Sequence, residues 1–238
     1  WIMAYTDIDD PTIYFNTVLY TSNSGSSPRT ISGVGFQPDW VWVKNRDSGD
    51  YNHVASDSVR GLNKILQPDT TIAQLTNHAA GYISAANSDG FVLTAGSSNL
   101  SNYDTGSNKQ VAWNWKAGTS FTNDASSTSV GDIDSAGSVN QDAGFSIISF
   151  TKTDGEVTVA HGLGAKPSLI IFKPLASANW IVTATINNSM SNNYLLLHAS
   201  DANQTDGAYA NPTSSVFSIS NNIAPNSAHI AYCFAPKQ

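Results

Sequence analysis

Charged side chains are scarce in this sequence, at 12% of 238 residues, roughly half the share of an ordinary soluble domain. Eleven are basic against 18 acidic, a formal net charge of −7. No cluster of Lys or Arg exists to displace counterions from phosphates, which argues against nucleic-acid or acidic-membrane binding. Glutamate is nearly missing, Glu156 being the only one. Glu favours helix interiors, whereas Asp, Asn, Ser and Gly favour turns, so long helices are not expected. A lone cysteine, Cys233, permits neither an intramolecular disulfide nor a cysteine-rich zinc site. Apolar runs such as 168–172 and 194–197 fall far short of the ~20 residues that span a bilayer. The opening Trp1-Ile2-Met3-Ala4-Tyr5 has no basic region leading into an apolar core, as a signal peptide would. Residues 1–11 read instead as the end of a preceding domain or a linker.

What is present is a repeated pattern. Phe15-Asn16-Thr17-Val18-Leu19-Tyr20-Thr21 matches Phe145-Ser146-Ile147-Ile148-Ser149-Phe150-Thr151. Gly33-Val34-Gly35-Phe36-Gln37-Pro38-Asp39-Trp40-Val41-Trp42-Val43-Lys44 matches Gly162-Leu163-Gly164-Ala165-Lys166-Pro167-Ser168-Leu169-Ile170-Ile171-Phe172-Lys173. Gly90-Phe91-Val92-Leu93 falls opposite Val216-Phe217-Ser218-Ile219, and Val111-Ala112-Trp113-Asn114-Trp115 opposite Ile230-Ala231-Tyr232-Cys233-Phe234. Each block is rich in β-branched and aromatic residues with period-two alternation, the signature of a strand. The expected fold is all-β, two tandem duplicated β-sandwich (jelly-roll-like) units. The first spans 12–118 and the second 143–238, joined by a Ser-, Asp- and Gly-rich linker at 119–142 that could add an edge strand. Residues 56–66, with Val59, Leu62 and Leu66 at helical spacing, are the only segment that suggests a helix, and Gly61 keeps it short.

Motifs for chemistry are absent. Histidines 53, 78, 161, 198 and 229 stand singly, without the spacing of a zinc site. Carboxylate pairs of the kind a glycosidase needs exist only as Asp9-Asp10, Asp132 with Asp134, and Asp201 with Asp206, all in turn-rich segments where Asp bonds its own backbone. Asp132-x-Asp134 resembles the start of a calcium loop, but the acid twelve positions along is replaced by Ala143. Gly33-Val34-Gly35 lacks the third glycine and following helix of a nucleotide loop and reads as a turn. No catalytic residue, metal or cofactor is therefore expected.

Aromatic residues remain as candidates for binding. Trp40 and Trp42 share one face of a strand, and Trp113 and Trp115 one face of another. Core packing is the favoured reading, because the second copy places Leu169, Ile171, Tyr232 and Phe234 at those positions. A carbohydrate-stacking platform is the functional alternative. Four tyrosines among small and polar residues, Tyr51, Tyr82, Tyr103 and Tyr209, are the candidate receptor contacts.

The blocks running from Asp10-Pro11 through Val111-Ala112-Trp113-Asn114-Trp115-Lys116-Ala117-Gly118, and again from Gly144-Phe145-Ser146-Ile147 through His161-Gly162-Leu163-Gly164 to Tyr194-Leu195-Leu196-Leu197, resemble the tandem-repeat β domain of marine bacteriophage tail-fibre and virion structural proteins. That resemblance implies a virion-surface location and host attachment through a cell-surface glycan. It also implies partners among other virion proteins and copies of itself, most simply as a homotrimer. The alternative it allows is an architectural role, as capsid decoration or fibre shaft. It carries no catalytic residues over.

Overall fold

The computed structural model describes residues 8–23, 27–184, 193–205, 212–221, 223 and 226–237. The chain divides into two compact units, Asp10–Lys116 and the chain from Ala117 onward. Both are built almost wholly from antiparallel strands, as the turn-rich, glutamate-poor composition requires.

In the first unit the strands are β1 (Phe15–Thr21), β2 (Arg29–Ser32), β3 (Trp40–Asn45), β4 (Val54–Asp57), β5 (Lys64–Ile65), β6 (Leu75–Thr76), β7 (Tyr82–Asn87), β8 (Gly90–Thr94) and β9 (Lys109–Trp115). They form a four-stranded sheet in the order β1-β9-β3-β4, a three-stranded sheet β2-β8-β7 and a small β5-β6 pair. Ile31, Phe91 and Leu93 from the smaller sheet share one buried cluster with Val41, Val43, Val54 and Ala112 from the larger. Two sheets closing on one apolar core make the unit sandwich-like.

In the second unit the strands are β10 (Thr119–Asn123), β11 (Ser135–Asn140), β12 (Phe145–Lys152), β13 (Val157–Ala160), β14 (Leu169–Pro174), β15 (Ile181–Ala184), β16 (Asn193–Leu196), β17 (Gln204–Thr205), β18 (Val216–Ile219) and β19 (Ser227–Phe234). The large sheet runs β10-β11-β12-β19-β14-β15-β16-β17, opposite a β13-β18 pair. Its core joins Ile148, Phe150, Ile170, Phe172 and Ala231 to Val157, Val159, Phe217 and Ile219.

The strand orders correspond. The series β1-β9-β3-β4 has the same sequence of neighbours as β12-β19-β14-β15, and β2-β8 the same as β13-β18. Registers correspond too: Phe15 and Trp40 both lie opposite Trp115, as Phe145 and Leu169 both lie opposite Phe234. Trp113 pairs with Trp42, and Tyr232 with Ile171. Even an edge contact repeats, the ring centroids of Phe15 and Trp115 and of Phe145 and Phe234 both lying 4.9 Å apart.

Three expectations need correcting. The segment 119–142, read as a linker, forms β10, a one-turn helix at Ala125–Thr128 and β11, and β11 pairs with β12 over six residues. The units therefore run 10–116 and from 117 onward instead of 12–118 and 143–238. Segment 56–66 is not helical: β4 ends at Asp57, and turns follow around the buried pair in which Arg60 Nε donates to Asp57 at 2.6 Å. The expectation for residues 1–11 falls mostly outside the described residues.

Candidate functional site

Alternation along a strand sends successive side chains to opposite faces. In β3 and β9 it is the small face, Val41, Val43 and Ala112, that enters the core. The tryptophans consequently stand on the outer face of the four-stranded sheet, contrary to the favoured core reading. Trp40 is buried there at 1% exposure, while Trp42, Trp113 and Trp115 are half-buried.

Register sets their contacts. Phe15 leans on Trp115, which stacks on Trp40 with centroids 4.3 Å apart and planes inclined by 30°. Trp40 in turn meets Trp42 at 5.7 Å, and Trp42 meets Trp113 edge-on at 6.2 Å and 79°. These offset and edge-to-face arrangements are the ones that aromatic quadrupoles favour, each adding about 0.5–1.5 kcal/mol beyond area burial.

Trp42, His53, Trp113 and Trp115 line an open cleft of about 290 Å³ with a nearly all-apolar wall. His53, just before β4, supplies its polar corner. The Trp42 indole Nε1–H donates to His53 Nδ1 at 2.9 Å, which fixes the neutral tautomer with its proton on Nε2. Nε2 has no acceptor among the described residues and is available to a ligand oxygen. Burial lowers the His53 pKa; the nearby Asp69 carboxylate opposes this and Lys44 reinforces it. The backbone N–H of His53 is anchored by both Asp69 oxygens at 3.1 Å.

The matching face of the second unit carries Leu169, Ile171, Tyr232 and Phe234 in place of the tryptophans. Tyr232 is fully buried there and Ile171 is 8% exposed.

The four candidate tyrosines are not brought together. Tyr103 is buried at 1% exposure within the first unit's core, where burial pushes its hydroxyl pKa far up; it cannot meet a receptor. Tyr82 lies on β7 and packs half-buried against that same core. Tyr51 is half-buried in the β3–β4 connection, its carbonyl accepting from Lys44 Nζ at 2.5 Å. Tyr209 lies outside the described residues.

The motifs considered for chemistry have structural uses. Gly33 and Gly35, at φ +91° and +83°, donate their N–H groups to the Asp89 carboxylate at 3.1 and 2.8 Å. A side chain thus occupies the nest that a phosphate would need. A cleft of about 690 Å³ in the second unit is lined in part by Asp132, Asp134 and His229. Asp132 accepts from both the N–H and the hydroxyl of Thr158 at 2.7 Å, bonds that hold its pKa below the usual range, the opposite of what a general acid requires. Asp134 accepts from Ala125 N–H at 2.9 Å. His161 sits between backbone groups, its Nδ1 accepting from Leu163 N–H and its Nε2 meeting Thr213 O. Cys233 is a buried sheet residue whose thiol is pushed to about 12 by burial. Among the described residues no group of three or more His, Cys, Asp or Glu side chains could hold a metal ion. No described helix is long and apolar enough to cross a membrane.

The described residues form two all-β units, the first of which carries a solvent-facing aromatic cleft. The chain belongs to the DUF7483 family, a domain of unknown function, which matches residues 10–238 and so takes in both units. No curated protein and no solved structure matches the chain.

Proposed function

We propose that the chain is a non-catalytic binding module of a bacteriophage virion surface, and that the aromatic cleft of its first unit takes a cell-surface glycan. The observation that carries this reading is the set of three half-buried tryptophans around an apolar cleft with a single polar corner at His53. A pyranose has one face of C–H groups that suits the negative face of an indole, and a rim of hydroxyls that suits a neutral hydrogen-bonding imidazole. Maintaining solvent-facing tryptophan at three positions is costly to solubility unless a ligand uses them. The phage setting and the attachment role rest on the family resemblance of the sequence blocks. Correspondence of strand order and register supports reading the two units as copies of one ancestral unit.

The test is binding of host-surface polysaccharide, followed by calorimetry, for the intact chain and for Trp42→Ala and Trp113→Ala. Each substitution is expected to weaken binding at least ~10-fold, the loss of about 1.4 kcal/mol of stacking. Unchanged affinity in both variants would remove the cleft as the site.

An architectural role is the second reading, favoured by the exposure of Leu19 (62%) and Phe15 (38%) beside the aromatic face. An apolar strip of this kind suits a neighbouring subunit. Particles carrying Trp42→Ala separate the two roles: host adsorption falls if the cleft binds receptor, whereas particle assembly falls if it is a structural contact.

A further inference from the structure

We infer that β1 is an open strand edge that accepts β1 of a second copy, so that two chains join through one continuous sheet. The hydrogen bonds from Lys116 N–H to Tyr14 O and from Ser22 N–H to Asn108 O, at the two ends of the β1–β9 ladder, turn the even-numbered amides toward β9. Those of Phe15, Thr17, Leu19 and Thr21 therefore face away from it. Among the described residues no strand lies on that side. Thr17 N–H bonds its neighbour Asn16 Oδ1, and Thr21 O accepts from Arg29, while the backbone N–H groups of Phe15 and Leu19 have no partner among the described residues.

The second unit shows the same edge occupied. Its strand β12, the counterpart of β1, also turns its even-numbered residues toward the neighbouring long strand, as the Ala235 N–H to Gly144 O bond shows. Its odd-numbered residues pair with β11: Phe145 with Asn140, Ile147 with Ser138, Ser149 with Ala136. The turn that brings β11 back depends on Gly144, at φ +66° immediately before Phe145. In the first unit that place belongs to Tyr14, at φ −120°, following a 3-10 turn at Pro11–Ile13. A tyrosine does not take the left-handed conformation cheaply, so the Gly144 turn has no counterpart at Tyr14.

The strand itself points to a second copy. Edge strands in soluble proteins are ordinarily guarded by a charge, a proline or a bulge. Phe15-Asn16-Thr17-Val18-Leu19-Tyr20-Thr21 has no charge and no proline, and its seven-residue ladder with β9 is unbroken. Antiparallel pairing about Thr17 sets Phe15 of each chain opposite Leu19 of the other, covering the strand's two exposed apolar side chains with an aromatic–aliphatic cross-strand pair. The contact is two-fold and self-complementary, which gives a dimer in place of the trimer implied by the resemblance. Odd-numbered residues share the outer face with Trp113 and Trp115. The pairing thus places two aromatic clefts on one sheet, their β9 strands separated by three strand spacings, about 14 Å. That consequence, unlike the pairing, rests on the glycan reading.

Sedimentation of the intact chain over a concentration series tests the pairing, with the monomer mass of 25.3 kDa as reference. Dimer is expected, and Leu19→Lys, which puts two ammonium groups at the seam, is expected to weaken association at least ~10-fold while leaving the far-UV spectrum unchanged. Thr17→Cys supplies a second readout independent of that variant's folding. Opposed residues of a hydrogen-bonded pair lie about 5.5 Å apart at Cα, within reach of a disulfide, and the native Cys233 is buried. Mild oxidation should therefore give a covalent dimer. A chain that stays monomeric to roughly 0.5 mM, an assembly untouched by Leu19→Lys, or a Thr17→Cys protein that does not cross-link would each overturn the inference.

Discussion

Trp42 hands its indole proton to His53 Nδ1 across 2.9 Å, so a residue of the aromatic face and a residue of the neighbouring loop hold each other in place. The bond exists only while His53 is neutral, since imidazolium has no acceptor. Burial keeps it neutral by lowering its pKa. Glycan affinity should accordingly be flat from pH 8 down through the ordinary histidine range near ~6.5 and decline only at lower pH. His53→Ala should cost about 1 kcal/mol, a ~5-fold loss of affinity, and abolish the acid decline. A decline already complete at pH 6.5, read by calorimetric titration, would mean that the ring is charged when ligand binds.

Two other histidines govern stability. Desolvation lowers both His161 and His229 to about 4. Their unfolded forms titrate near ~6.5, so between these values the unfolded chain binds more protons than the folded one and stability falls as pH falls. The contribution is whole above about pH 6.5 and lost by about pH 4, an amount of order 3 kcal/mol for each ring. Urea melts across this window should show the loss, and His161→Asn should flatten the curve.

Removing Tyr103 acts on folding and not on recognition. It is fully enclosed among Ile83, Leu100 and Phe91, and its backbone oxygen accepts from the Tyr20 hydroxyl at 2.9 Å. Tyr103→Ala should destabilise the first unit by about 3–5 kcal/mol. Tyr51→Ala should change neither glycan affinity nor stability by more than about 1 kcal/mol. Chemical denaturation of the two variants checks both outcomes.

Much of this architecture is legible in the residues. The alternation Trp40-Val41-Trp42-Val43 and Val111-Ala112-Trp113-Asn114-Trp115 marks strands and groups the tryptophans on shared faces. Period two does not say which face meets the core, and the larger residues were the natural choice for it. Here Val41, Val43 and Ala112 are the residues that face the core. Asn114, fully buried, donates to Asn16 O and Ala112 O, while its Oδ1 finds no partner among the described residues. Strand β11 was hidden for a related reason. Ser135-Ala136-Gly137-Ser138-Val139-Asn140 reads as a loop, yet a Cβ at Gly137 would sit 1.8 Å from Ile147 O, so tight packing against β12 excludes the side chains that would have marked a strand. His53 could not have been paired with Trp42 from spacing alone, because the contact arises from the bend between β3 and β4.

The most direct test of sugar binding at the first unit's aromatic face is the indole ¹H–¹⁵N spectrum of the chain, which contains six tryptophans, titrated with oligosaccharides prepared from the host surface. The resonances of Trp42, Trp113 and Trp115 should shift together and saturably, while Trp180, fully buried in the second unit, stays still. Oligosaccharides that bind the chain and leave those three indoles unmoved would contradict it.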